Sequence, residues 1–117
     1  MMDEERKRIV NEVARFLSFF RECRIYRPID MMAKPFSYVD VVTALQDAVR
    51  QAVVAKENAE EKVDEEGRKR RVVKAGDRYV PEPYIPSRSV LQSFLELCKE
   101  DLTYSKEAAL LALAYGG

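Results

Sequence analysis

Apolar residues recur along the chain at helical spacing, and the longest series organises the rest. Tyr38, Val42, Leu45, Val49, Ala52, Lys56, Ala59 and Val63 alternate at spacings of four and three, which is a heptad seam and predicts a long helix over residues 38–66 with coiled-coil character. Such a helix would be roughly 43 Å long, longer than a compact domain of this size is wide. The seam thins along its length. Bulky Tyr38, Val42, Leu45 and Val49 suit a core, whereas Ala52, Lys56 and Ala59 bury little area and suit an interface or an exposed rod. Ser37 is placed to cap the helix, Asp40 to favour its dipole, and Gly67 to stop it.

Three further helices follow from the same pattern. Ile9, Val13, Phe16, Leu17 and Phe20, widened by Val10, Phe19 and Cys23, form the stripe of a core helix over 3–23. It begins in acids (Asp3, Glu4, Glu5) and ends in Arg21 and Arg24, as the dipole prefers. Residues 24–36 hold two prolines and read as an ordered connector. Leu91, Phe94, Leu95, Cys98 and Leu102 mark a helix over 88–101 capped by Ser87 or Ser89, with Ser89 and Gln92 spaced as a capping box. Asp101 or Thr103 closes it and opens a last helix over 104–115, nearly all Ala and Leu, which must pack in the core or against another chain. Between the long helix and Ser87, strand-like residues around Gly76-Asp77 predict a β-hairpin over about 70–80. Pro81 to Pro86 then form a rigid connector, despite the PxxP spacing of Pro83 and Pro86.

The fold class expected is therefore mainly α, a single domain with one short hairpin and roughly 60 to 70% helix. A rod outgrowing its domain, together with the Ala108–Leu113 segment, leads us to expect a homodimer through the Tyr38–Val63 helix or through Ala108–Leu113.

Composition narrows the chemistry. The 117 residues carry 20 basic and 20 acidic side chains, a formal charge of zero, so attraction to nucleic acid or membrane must be local. Histidine is absent, which removes the usual general base, the commonest metal ligand and every Ser-His or Cys-His pair. No phosphate-cradling glycine loop, HExxH or EF-hand pattern occurs. Glu57, Glu60, Glu61 and Asp64 read as a solvated face rather than a metal site. We expect no catalytic residues, no cofactor, no metal and no enzyme activity. A charged N-terminal stretch and the lack of any apolar run near ~18 residues point away from a membrane and towards an intracellular protein. The 34% charged content, with no His or Trp, leans towards a thermophile. Cys23 and Cys98 read as two free buried thiols, a disulfide being plausible only in a hyperthermophile. Terminal Gly116-Gly117 matches the di-glycine end of ubiquitin-like modifiers but reads as a frayed tail.

One constellation could carry function. Arg68, Lys69, Arg70, Arg71, Lys74 and Arg78 surround the hairpin, with Tyr79 and Tyr84 close behind. They offer cations for phosphates beside aromatic faces for bases, and so predict binding of DNA or RNA. The run Val63-Asp64-Glu65-Glu66-Gly67-Arg68-Lys69-Arg70-Arg71 and the hairpin ending Gly76-Asp77-Arg78-Tyr79-Val80 resemble the end of a recognition helix and the wing of winged-helix DNA-binding domains. The resemblance implies DNA contact by the wing. It departs from that family because no turn divides Val41–Val63 into the two short helices required. The alternative is that the cations neutralise the acids just before them, leaving a helical homo-oligomeric adaptor or scaffold that binds another protein.

Overall fold

The computed structural model describes residues 3–115 and contains α1 (Asp3–Glu22), α2 (Arg27–Ala33), α3 (Tyr38–Glu57), β1 (Glu60–Val63), β2 (Lys69–Ala75), β3 (Arg78–Pro81), α4 (Arg88–Glu100) and α5 (Thr103–Ala114). Of the described residues 64% are helical, so the protein is mainly α with a small antiparallel sheet, as its pattern predicts. Gly116-Gly117 lie outside the described residues.

The apolar stripe of α1 organises the helical body. Ile9, Val13, Phe16, Leu17 and Phe20 are all buried, and Phe20 meets Phe16 and Phe19 edge-to-face at 5.8 and 5.4 Å, the arrangement that aromatic quadrupoles favour. Around it pack α5, α4 and α2. The small residues of α5 explain its closeness: Ala108, Ala109 and Ala112 are fully buried, and the buried Ser105 hydroxyl donates to the Met32 carbonyl of α2 at 2.7 Å. Most of the Ala108–Leu113 segment is thus absorbed by the protein's own core, leaving Leu110 and Leu113 exposed.

Two expectations from the sequence require correction. Residues 24–36 are not a plain connector, because Arg27–Ala33 form α2. Pro28 sits in its first turn, where a missing N–H costs nothing, and Pro35 lies beyond its end. The long helix does not reach residue 66. It stops at Glu57, with Asn58 as C-cap, and Glu60–Val63 pair as an edge strand with Lys69–Val72. The buried face of α3 keeps only Leu45 and Ala52 of the heptad seam and is completed by Val41, Ala44 and Ala48, whose alanines let α2 approach closely. Tyr38, Val42 and Val49 are only half-buried. Past Ala52 the helix has no buried residue, so nothing rewards its continuation and strand hydrogen bonding prevails. The coiled-coil rod, and the dimer seam along Tyr38–Val63, fall with it as a continuous helix.

The caps are local. Ser37 holds the N-cap position of α3 without a side-chain bond, while Asp40 accepts from the Phe36 N–H at 2.7 Å. Ser87, rather than Ser89, caps α4 by accepting from the Val90 N–H. Asp101 accepts from both the N–H and the hydroxyl of Thr103. Those bonds, led by the backbone one, hold its carboxyl below the usual range. Cys98 is buried and Cys23 partly so, both as free thiols. Desolvation pushes Cys98 up to about 12 and raises Cys23 as well, so both remain protonated and unreactive at neutral pH.

Candidate nucleic-acid interface

The sheet has the order β1-β2-β3, entirely antiparallel. Two turns built by different residues join its strands. Gly76, at φ +63°, takes the first central position of the two-residue β2–β3 turn, where glycine relieves the left-handed backbone. Between β1 and β2, Asp64 organises everything. Its backbone N–H donates to the Arg68 carbonyl at 2.8 Å, and its own carbonyl accepts from Gly67 at 3.0 Å. Its carboxylate accepts from the N–H groups of Glu66 and Arg68 at 2.9 and 2.8 Å and from Arg70 Nε at 2.9 Å. Gly67, at φ +81°, closes a three-residue loop with the bulge geometry common in hairpins. The Arg70 hydrogen bond, followed by the backbone bonds, holds the Asp64 carboxyl below its usual pKa.

Strand register sorts the candidate cations onto two faces. Directly opposed residues of an antiparallel pair share a face. Glu60↔Val72, Lys62↔Arg70, Val72↔Pro81 and Lys74↔Tyr79 therefore define one face, and Val63↔Lys69, Glu61↔Arg71, Val73↔Val80 and Ala75↔Arg78 the other. Val80 is buried in the core and Arg78 pairs with Glu22 of α1 at 3.8 Å, so the second face is turned towards the body. The first is the outer face. It carries Lys62, Arg70, Lys74 and Tyr79, the ammonium of Lys62 lying 4.4 Å from the Tyr79 ring centroid.

The eight residues expected at this site thus do not form one patch. Arg70, Lys74 and Tyr79 share the outer face. Arg68 lies in the loop between the strands, paired with Glu66 and Asp64. Lys69 projects from the opposite face near the free end of the sheet. Arg71 serves the structure: it bonds Glu82 at 3.1 Å and reaches the Ala59 and Lys56 carbonyls at 3.4 and 3.5 Å, where a guanidinium suits the end of α3. Tyr84 belongs elsewhere. Its hydroxyl donates to Glu12, and the Arg15 guanidinium covers its ring at 4.3 Å; the Glu12 bond raises its pKa. The resemblance to a winged helix also dissolves, because Val63–Arg71 are strand, loop and strand rather than the end of a helix.

Lys62 was missed because the heptad reading placed it on a helix. The signal that would have found it is Asp64-Glu65-Glu66-Gly67, an Asp-first, Gly-last turn signature. Among the described residues, Lys69 and Lys74 make no ion pair, whereas Lys62, Arg68, Arg70, Arg71 and Arg78 all do. Exposed pairs of this kind contribute about 0.2–1 kcal/mol, so a phosphate can replace the carboxylate at small cost. Lys62 directly opposite Arg70 is a like-charge cross-strand pairing that Glu60, 3.9 Å from Lys62, and Asp64, 2.9 Å from Arg70, offset.

Compared with known protein families, residues 16–115 match the model of the CRISPR-associated protein Csa5. The chain belongs to the Csa5 family. The match runs from the middle of α1 through α5, so the sheet, the outer face and the helical body are all parts of the Csa5 unit. No curated protein matches the chain. Among the described residues no group of three or more His, Cys, Asp or Glu side chains could hold a metal, and no helix is long and apolar enough to cross a membrane.

Proposed function

We propose that this Csa5-family chain is a non-enzymatic, intracellular subunit of a CRISPR-associated assembly, and that it holds nucleic acid against the outer face of its sheet. The observation that carries this reading is the placement of Lys62, Arg70 and Lys74 with Tyr79 on one exposed face of the sheet. Three cations around an aromatic ring match what a single strand or a heteroduplex backbone asks of a sequence-tolerant binder. CRISPR effectors in general leave sequence to base pairing and hold the duplex through its backbone. A small basic face with no base-reading groove suits that division of labour. The test is binding of single- and double-stranded DNA and RNA at two salt concentrations. With three phosphates neutralised, the log-log slope for single strands would be about −2. Lys74→Ala should weaken binding across all sequences and flatten the slope by about 0.7. No binding at low salt would refute the reading.

A second reading, a helical adaptor that binds another protein, is favoured by an apolar groove between α3 and α4. Val42, Leu45, Val49, Leu91 and Leu95 line it, at a volume of about 320 Å³. If this groove forms the functional contact, Val49→Asp should abolish self-association or partner capture while leaving nucleic-acid binding intact. Light scattering and the salt titration together distinguish the two readings.

A further inference from the structure

A concave site of about 420 Å³ lies beside α1, between α1, the end of β3 with the segment that follows it, and Tyr115. We propose that this site takes one unstacked base of a bound single strand, and that it prefers guanine. The inference rests on the nucleic-acid reading above and gives it a specific subsite.

The walls are aromatic and rigid. Tyr84 is fixed at both ends, its hydroxyl bonded to Glu12 and its ring covered by Arg15 at 4.3 Å. Pro83 is buried beside it. Tyr115 is anchored through its carbonyl, which accepts from Arg21 Nη1 at 3.0 Å. Tyr84, with its side chain held, loses little conformational freedom on stacking a base, and an Arg–Tyr stack extended by a base is a recurrent mode of single-strand recognition. The volume exceeds what one base fills and is at the low end of ordinary small-ligand sites.

The polar lining sets the preference. Two carboxylates line the site: Glu82 is taken up by Arg71 at 3.1 Å, whereas Glu22 is one-third exposed. Its pairings with Arg78 at 3.8 Å and Arg21 at 4.0 Å are loose, leaving acceptor capacity on the carboxylate. A carboxylate only accepts. Guanine presents two adjacent donors, N1–H and N2–H, that match both its oxygens; cytosine and adenine present one amino group; uracil flanks its single N–H with two carbonyls that the carboxylate repels. Arg21 and Arg78 flank the carboxylate, Arg15 lines the same site, and all three can meet the neighbouring phosphates.

Fluorescence anisotropy with the full chain tests this, using a labelled oligouridine and the same strand with one central guanosine. Wild type should bind the guanosine-containing strand about tenfold more tightly. Glu22→Gln should erase that ratio while retaining most of the affinity for oligouridine, and Tyr84→Ala should weaken the guanosine strand more than the oligouridine. Lys74→Ala should weaken both strands alike and leave the ratio unchanged. Equal binding of the two strands by wild type would overturn the base site and leave the outer-face reading standing. Binding of neither strand at low salt would overturn both. Because the wild-type ratio decides the question, the result holds even if a variant fails to fold.

Discussion

The helical body and the sheet are built by different physics. In the body every defining side chain is buried: Phe16, Phe20, Ile29, Met32 and Phe94 have essentially no exposed surface, and burial of each large apolar side chain contributes about 1.5–3 kcal/mol. In the sheet, β1 is exposed at every position and β2 along its first three. What shapes that end is a single aspartate that ties the loop and Arg70 together. The body is therefore costly to alter. The outer sheet is cheap to alter, which suits a recognition surface.

The widest gap between the two regions should come from truncation. Phe20→Ala removes a ring packed against two others and should cost about 3–5 kcal/mol in urea unfolding, whereas Lys74→Ala should stay within about 0.5 kcal/mol of wild type. Similar losses for both would break the comparison. Next is overpacking at the α2–α3 contact. Ala48 is fully buried, so Ala48→Leu should destabilise by about 1–3 kcal/mol, while the same exchange on a heptad model, with Tyr38, Val42 and Val49 inward, would be mild. Smaller again is Arg71, whose half-exposed guanidinium meets Glu82 and the end of α3. Arg71→Ala should cost about 0.5–1 kcal/mol, and a larger change in nucleic-acid affinity than in stability would return this residue to the interface.

The smallest effect is local and depends on pH. The Asp64 carboxyl is depressed, chiefly by Arg70. A group whose folded pKa lies below its unfolded value of about 3.9 adds stability above that value and loses it as pH falls through the folded pKa. The β1–β2 loop should therefore loosen below about pH 4, seen as faster amide exchange at Glu66 and Arg68 with the helical body still protected. Asp64→Asn should show the same loosening at neutral pH. If exchange there is unchanged by acid, the carboxylate does not organise the loop.

The same contrast explains what was legible in the sequence. α1 and α4 follow from periodicity because a buried stripe must repeat every 3.6 residues, α5 from a run of Ala and Leu too apolar to face water, and the Gly76-Asp77 turn from backbone chemistry that few residues tolerate. The end of α3 was not legible by periodicity, because Lys56, Ala59 and Val63 continue the heptad past Ala52, the last position the fold buries. There the Asp64-to-Gly67 turn signature outranks the seam. α2 was hidden by prolines that mark a helix start as readily as they break one. Of the site, the basic and aromatic residue types were visible from composition alone. Their division between two faces was not, since it depends on strand register, and neither was the removal of Tyr84 to α1, which rests on a contact with Glu12 far away in the chain.

The central claim is that nucleic acid meets the outer face of the sheet. Backbone amide shifts recorded by NMR during titration with a short single-stranded oligonucleotide test it most directly. The account expects shifts concentrated at Lys62, Arg70, Lys74 and Tyr79, fading as salt is raised. Shifts confined to the groove lined by Val42, Val49, Leu91 and Leu95, or no shifts at low salt, would contradict it.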